Sequence, residues 1–112
     1  MAYQLRYTAT AAVELRAATD WIAERAPDTA EEWFEGFVEL LATLRVNALV
    51  HGLAPENSLV GIEVRQIVYR TKSRRFNRAL YTVTDDTVVI LGIRRPGQPL
   101  LSKRDLRRRV AE

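Results

Sequence analysis

Chemistry in this chain is concentrated in cations of its second half: Arg65, Lys72, Arg74, Arg75, Arg78, Arg94 and Arg95. A guanidinium offers a planar fork of donors that matches phosphate, carboxylate or guanine in bidentate fashion. Lys72, Arg74, Arg75 and Arg78 form one run with Phe76 inside it. A basic run with an interleaved aromatic suits gripping a nucleic-acid backbone while stacking on a base. A solvated hairpin tip has the same composition, so both readings stand. Arg78 either contacts an anionic target or pairs with a carboxylate and orders the fold. Arg65 either holds a phosphate or is a solvated strand residue. It is a poor general base, since Arg keeps its proton at pH 7. Arg94 and Arg95 close the last apolar run and complete the candidate binding surface.

Other reactive groups are few. There is no cysteine, which removes disulfides, thiolate catalysis and Cys-ligated zinc, and fits a reducing cytoplasm. Asp85-Asp86 reads as a turn without a third ligand, so no metal and no cofactor is expected. His51 is the only histidine and falls among loop residues. Tyr69 and Tyr81 alternate into apolar strands and read more as packing than as chemistry. Trp21 and Trp33 sit in helical apolar patterns and are expected in the core.

The net charge of +3 hides a polarity. Residues 1–55 hold 4 Arg against 8 Asp/Glu, net −4, and residues 56–112 hold 13 Lys/Arg against 6 Asp/Glu, net +7. A basic face of this kind attracts nucleic acid or an acidic partner. Only two of the 17 basic residues are lysine; codon bias would explain that ratio, but not the crowding of Arg into one half. At 112 residues the chain is expected to form a single domain, residues 1–112. Its start is too polar for a signal peptide, and its longest apolar run is far short of the roughly 20 residues that span a bilayer. A cytoplasmic protein with no membrane contact is expected.

Several elements must position these cations. Tyr3, Leu5 and Tyr7 alternate with polar residues as in a half-buried strand. Thr8 or Thr10 can cap a helix that runs to about Ala26 and stops at Pro27, with Val13, Ala17 and Trp21 on its apolar side and Ala18 and Ile22 beside them. Glu14, Arg16, Asp20 and Glu24 mark its wetter side. Asp28 and Glu31 have the spacing of a capping box for a second helix, whose stripe is Trp33, Phe34, Phe37, Leu40, Leu41 and Leu44. With so short a connection the two helices should form an antiparallel hairpin. From about Asn47 to Gly61 the pattern lapses. Strand-like runs follow at Ile62–Arg70, Ala79–Thr84 and Thr87–Ile93, the last two joined by Asp85-Asp86. Ser102 and Asp105 look like a second capping box, opening a short basic helix. The expected fold is α+β in two layers: an N-terminal strand, the helical hairpin, a three-stranded antiparallel run and the basic C-terminal helix.

This order resembles the RelE/ParE superfamily, the toxins often labelled plasmid stabilisation proteins. Four stretches carry the resemblance: Asp20-Trp21-Ile22-Ala23-Glu24-Arg25, Ala30-Glu31-Glu32-Trp33-Phe34-Glu35, Arg78-Ala79-Leu80-Tyr81-Thr82-Val83-Thr84-Asp85-Asp86, and Val88-Val89-Ile90-Leu91-Gly92-Ile93-Arg94-Arg95. The resemblance implies a bacterial, growth-inhibiting toxin of a type II toxin–antitoxin system, neutralised by a cognate antitoxin, often in a heterotetramer. RelE-like members cut mRNA on the ribosome, whereas ParE-like members inhibit DNA gyrase by binding.

RNA cleavage needs a base for the 2′-hydroxyl, a cation for the phosphate and an acid for the leaving oxygen. In RelE-like toxins basic sheet residues and a C-terminal Tyr fill these roles, which makes Arg65, Arg78 and Arg95 the catalytic candidates. No Tyr follows residue 81, and His51 lies away from the sheet positions the family uses. The expectation therefore leans to a ParE-like, non-enzymatic toxin. A RelE-like, metal-independent ribonuclease and a family member without toxicity are the alternatives.

Overall fold

The computed structural model describes residues 2–71 and 76–112. Strand β1 (Gln4–Tyr7) leads into helix α1 (Ala9–Arg25), and Thr8 makes the transition. Thr8 keeps an extended backbone, and its side chain accepts from the Ala11 amide, meeting one of the donors a helix start leaves open. The buried face of α1 is Ala11, Leu15 and Ala18. Ala18 and Ile22 face the core as expected, but Val13 points to solvent and Ala17 is exposed, so the stripe is rotated. Glu14, expected on the wet side, is turned inward. The cause is the alanine-rich composition: several helical stripes are equally apolar, and the smallest residues pack closest.

Helix α2 (Pro27–Ala42) follows after the single residue Ala26. Asp28 does not cap it, contrary to the capping-box spacing. Pro27 occupies the first turn, where its missing N–H costs nothing, and Asp28 lies inside that turn near the positive end of the helix. Ala30, Trp33, Phe37 and Leu41 are buried, while Phe34, expected in the stripe, is 37% exposed. A short helix α3 (Leu44–Asn47) ends where periodicity lapses, and a 3-10 turn (Pro55–Leu59) lies within the lapse.

Strands β2 (Arg65–Arg70), β3 (Phe76–Thr84) and β4 (Thr87–Arg94) pair antiparallel, and β1 joins β4 in parallel, giving the order β1-β4-β3-β2. Asp85 takes φ 55° in the β3–β4 turn, a backbone region that Asp tolerates better than most residues. One sheet face packs on the hairpin through Ile67, Ala79, Tyr81, Val88, Ile90 and Ile93. The other face packs Leu80, Val89 and Leu91 beneath the 3-10 region and helix α4 (Lys103–Val110) through Leu101 and Leu106. Ser102 caps α4 by accepting from the Asp105 amide, as its spacing predicts.

Gly36 lies mid-helix in α2 because Tyr69 of β2 crosses it. The Tyr69 hydroxyl donates to the Trp33 carbonyl at 2.9 Å, and a Cβ on residue 36 would collide with that oxygen. Gly36→Ala gains about 1 kcal/mol of helix propensity but overpacks the contact by about 1–3 kcal/mol. A net loss of stability in urea unfolding is expected, and Tyr69→Phe, which deletes the colliding oxygen, should convert it into a gain.

Candidate functional site

The cations converge at the end of the sheet where β2 stops, β3 starts and β4 ends. Register pairs Arg70 with Phe76 and Arg78 with Arg94. A bulge decides the second pair: Leu80 faces Gly92 but Tyr81 faces Ile90, so Leu91 is the extra residue on β4. A bulge re-aims the side chains beyond it. Arg94 thus joins Arg78 on the α4 face, and Arg95, just past the strand end, borders both the Trp21 side and the Phe76 side of the sheet.

Two like charges opposed on a sheet repel unless neutralised. Arg78 is neutralised by Glu56, which the 3-10 turn carries beneath the sheet. Its guanidinium donates to both Glu56 oxygens, at 2.8 and 2.7 Å, and to Gln66 at 3.3 Å. The Leu101 amide also donates to Glu56, at 3.1 Å. Glu56 is fully buried and the Arg78 side chain is 13% exposed. The turn is held by Asn57, whose side chain accepts from Val64 N, and by the Ala54 amide donating to the Val64 carbonyl. Burial pushes the Glu56 carboxyl up, but the bonds from Arg78 and the Leu101 amide outweigh it and hold it below its ordinary value of 4.5.

The sign of the resulting pH effect is fixed. A depressed carboxyl contributes stability that is complete above its unfolded pKa and lost as pH falls through the folded one. Stability should therefore fall as the pH is lowered from the ordinary carboxyl value of 4.5 through the depressed folded one. In urea unfolding, Glu56→Gln should be less stable at neutral pH and show a shallower acid decline.

Arg94 is neutralised by Glu14. It lies 3.6 Å from Glu14 Oε2 and donates to the Pro99 carbonyl at 2.7 Å. Burial pushes the Arg94 pKa below its usual value; Glu14 opposes this, and nearby Arg109 and Arg78 add to it. Glu14 also accepts from both terminal nitrogens of Arg109 of α4 and from the Ile93 amide at 3.0 Å, covering the β4 edge where β1 has ended. Arg109 further donates to the carbonyl of the bulged Leu91. Gly92 makes room for this, since a Cβ there would lie 2.5 Å from Arg109 Nη1.

The remaining candidates separate clearly. Arg65, at the far end of β2, donates to Glu63 and to the His51 carbonyl. His51 packs edge-on to Tyr81 at 6.4 Å, and burial, then Arg65, lowers its pKa. The Tyr81 hydroxyl donates to the Ala48 carbonyl, and burial pushes its pKa up to about 12. Arg95 is half-buried and forms no ion pair among the described residues. Arg70 is exposed, with its guanidinium 5.1 Å from the centre of the Phe76 ring, and Phe76 is 43% exposed. Phe76 and Arg78 belong to β3 rather than to a loop. Lys72, Arg74 and Arg75 lie outside the described residues. Trp33 is core, as expected; Trp21 is only half-buried, its ring stacked by Arg25 at 3.8 Å.

What this end of the sheet offers a ligand is an exposed aromatic flanked by Arg70 and Arg95, mounted on a base of arginines already paired with Glu56 and Glu14. Glu14, Glu56 and Arg109 escape sequence reasoning because their partners are distant in the chain. The only available signal is Glu56, an acid isolated among apolar and turn residues. Among the described residues no helix is long and apolar enough to cross a membrane.

No family model matches this chain, and no curated protein does. Among solved structures it is similar to a chain of the chromosomal ParDE toxin–antitoxin system of P. aeruginosa. The TM-score is 0.66 and the identity 27%, covering 84% of this chain and 96% of the other. It is also matched to an E. coli RelE toxin variant in the free state, with TM-score 0.47 and 22% identity over 85% of this chain and 84% of that one. The protein has the fold of the RelE/ParE toxin superfamily, the family its sequence resembles.

Proposed function

We propose that this chain is the toxin of a type II toxin–antitoxin pair, that a cognate antitoxin neutralises it, and that it acts by binding its target rather than by cutting RNA. DNA gyrase is the target of this ParE-like reading, and the cytoplasm is where the three proteins meet. The observation that carries it is the state of Arg78. Its fork is occupied by a fully buried carboxylate, so the phosphate-holding cation of a RelE-like nuclease is spent on the fold. Arg65 is likewise held by Glu63 and a carbonyl. The similarity to a ParDE chain supports the same side.

Ribosome-dependent mRNA cleavage is the second reading. What favours it is Phe76 between Arg70 and Arg95, an arrangement that suits a single strand.

Both readings require an antitoxin with acidic residues for the Arg-rich end and an apolar segment to pack beside it. Toxin and antitoxin are proposed to assemble as a heterotetramer. Induced expression of this chain alone should arrest bacterial growth, and co-expression of the small gene beside it should restore growth. Normal growth with abundant folded protein would contradict the toxin assignment.

A further inference from the structure

The bulge sends Arg94 to the α4 face, and Arg95, the next residue, helps line a cleft that reaches the hairpin side. This cleft, of about 370 Å³, lies between the C-terminal part of α1 and the Arg95–Gln98 turn. Trp21 forms one wall. The Arg25 guanidinium stacks 3.8 Å from the indole centre and also donates to the Trp21 carbonyl, so plate and cation form one unit. Asn77 brings a carboxamide and is only 8% exposed. Arg95 contributes a cation without an ion-pair partner among the described residues. Gln98 closes the turn: its side-chain oxygen accepts from the Arg95 amide at 2.7 Å, its own amide donates to the Arg95 carbonyl, and its side-chain NH2 remains as a donor. Gly97, at φ 82°, permits this Pro96–Gly97 bend.

These groups are complementary to one kind of ligand. An indole wall favours a flat ring, a buried carboxamide reads donors and acceptors on that ring's edge, and a cation nearby holds an anion. We propose that this cleft binds a nucleotide, with the base against Trp21, its edge at Asn77 and its phosphate at Arg95. A simple anion would leave Trp21 and Asn77 unused; an uncharged aromatic would leave Arg95 unused. Trp21 and Asn77 set this cleft apart from the neighbouring groove of Phe76, Arg78 and Arg94, with which it shares the Arg95–Gln98 turn. The proposal is independent of the toxin reading, because binding is measured on the isolated protein.

Isothermal titration of the full chain with AMP, and separately with a short 5′-phosphorylated single-stranded RNA, tests it. Saturable binding of either, weakened about tenfold or more by Trp21→Leu and by Arg95→Gln in variants that melt like wild type, is the expected result. Tighter AMP binding identifies a free nucleotide as the ligand, and tighter RNA binding a nucleotide within a strand; both support the site. Adenosine and inorganic phosphate should each bind at least about tenfold more weakly than AMP. Three results would overturn the proposal: no saturable binding of either probe, phosphate competing as well as AMP, or AMP binding unchanged in Arg95→Gln. Should Trp21→Leu unfold, transferred NOEs between bound AMP ring protons and the wild-type indole decide the placement. Their absence, with AMP bound, counts against it.

Discussion

Replacing Glu56 with alanine is expected to cost about 3–5 kcal/mol of folding stability, the usual penalty for breaking a buried ion pair by removing one partner. The penalty comes from what is left behind. Arg78 would keep its charge beneath the sheet with only Gln66 as a side-chain acceptor among the described residues, directly across from the equally cationic Arg94. The Leu101 amide would lose its acceptor as well. A domain of this size is stable by about 5–15 kcal/mol, so the loss is a large share of the total. Arg78→Ala should be comparably damaging, because it strands a buried carboxylate. Replacing both residues with methionine should recover most of the loss, since an apolar pair of similar volume needs no desolvation. Urea unfolding of the two single variants and the double variant measures the coupling. A Glu56→Ala protein within about 0.5 kcal/mol of wild type, the scatter of neutral surface changes, would contradict the pairing.

Arg95→Ala is expected to do the reverse: little change in stability, with a large loss of activity. Arg95 forms no ion pair among the described residues and is half-buried, so its removal should cost about 0.5 kcal/mol or less. As an available cation beside Phe76, it should support a charge-assisted contact to the target worth roughly 1.4 kcal/mol or more, about tenfold in affinity. The readout is the inducer level needed to arrest growth, compared at equal amounts of soluble protein. Undiminished toxicity would exclude Arg95 from the working surface. The contrast also governs how Arg78 variants are read. Loss of toxicity in Arg78→Ala carries functional weight only if the variant is folded.

Much of this arrangement was legible where the signal is local. Thr8 and Ser102 cap the helices their spacing assigns to them, and Asp85-Asp86 makes the β3–β4 turn. The antiparallel pairing of the last three strands follows from short turns between apolar runs. The α1 face was not legible, because Ala11, Ala12, Ala17 and Ala18 give rival stripes of similar apolarity, and only contact with β4 chooses among them. Trp21 reads as core from its apolar helix face, yet it is only half-buried, with Arg25 stacked on its ring. The site was least legible. Arg78 could be singled out by motif, but its partner Glu56 is 22 residues away in the 3-10 turn, and Glu14 meets Arg109 across 95 residues. The one-residue bulge at Leu91 is equally silent in sequence, although it determines whether Arg94 or Ile93 lies opposite Arg78.

Arg78 and Arg65 are engaged by Glu56 and Glu63, which supports inhibition of the target by binding rather than by cleavage. The most direct measurement places purified wild-type protein in two assays side by side: supercoiling by DNA gyrase, and mRNA cleavage on programmed ribosomes. Inhibition of supercoiling without any mRNA cleavage is the predicted result. Ribosome-dependent cleavage with gyrase unaffected would contradict it and assign the Arg70–Phe76–Arg95 surface to RNA chemistry.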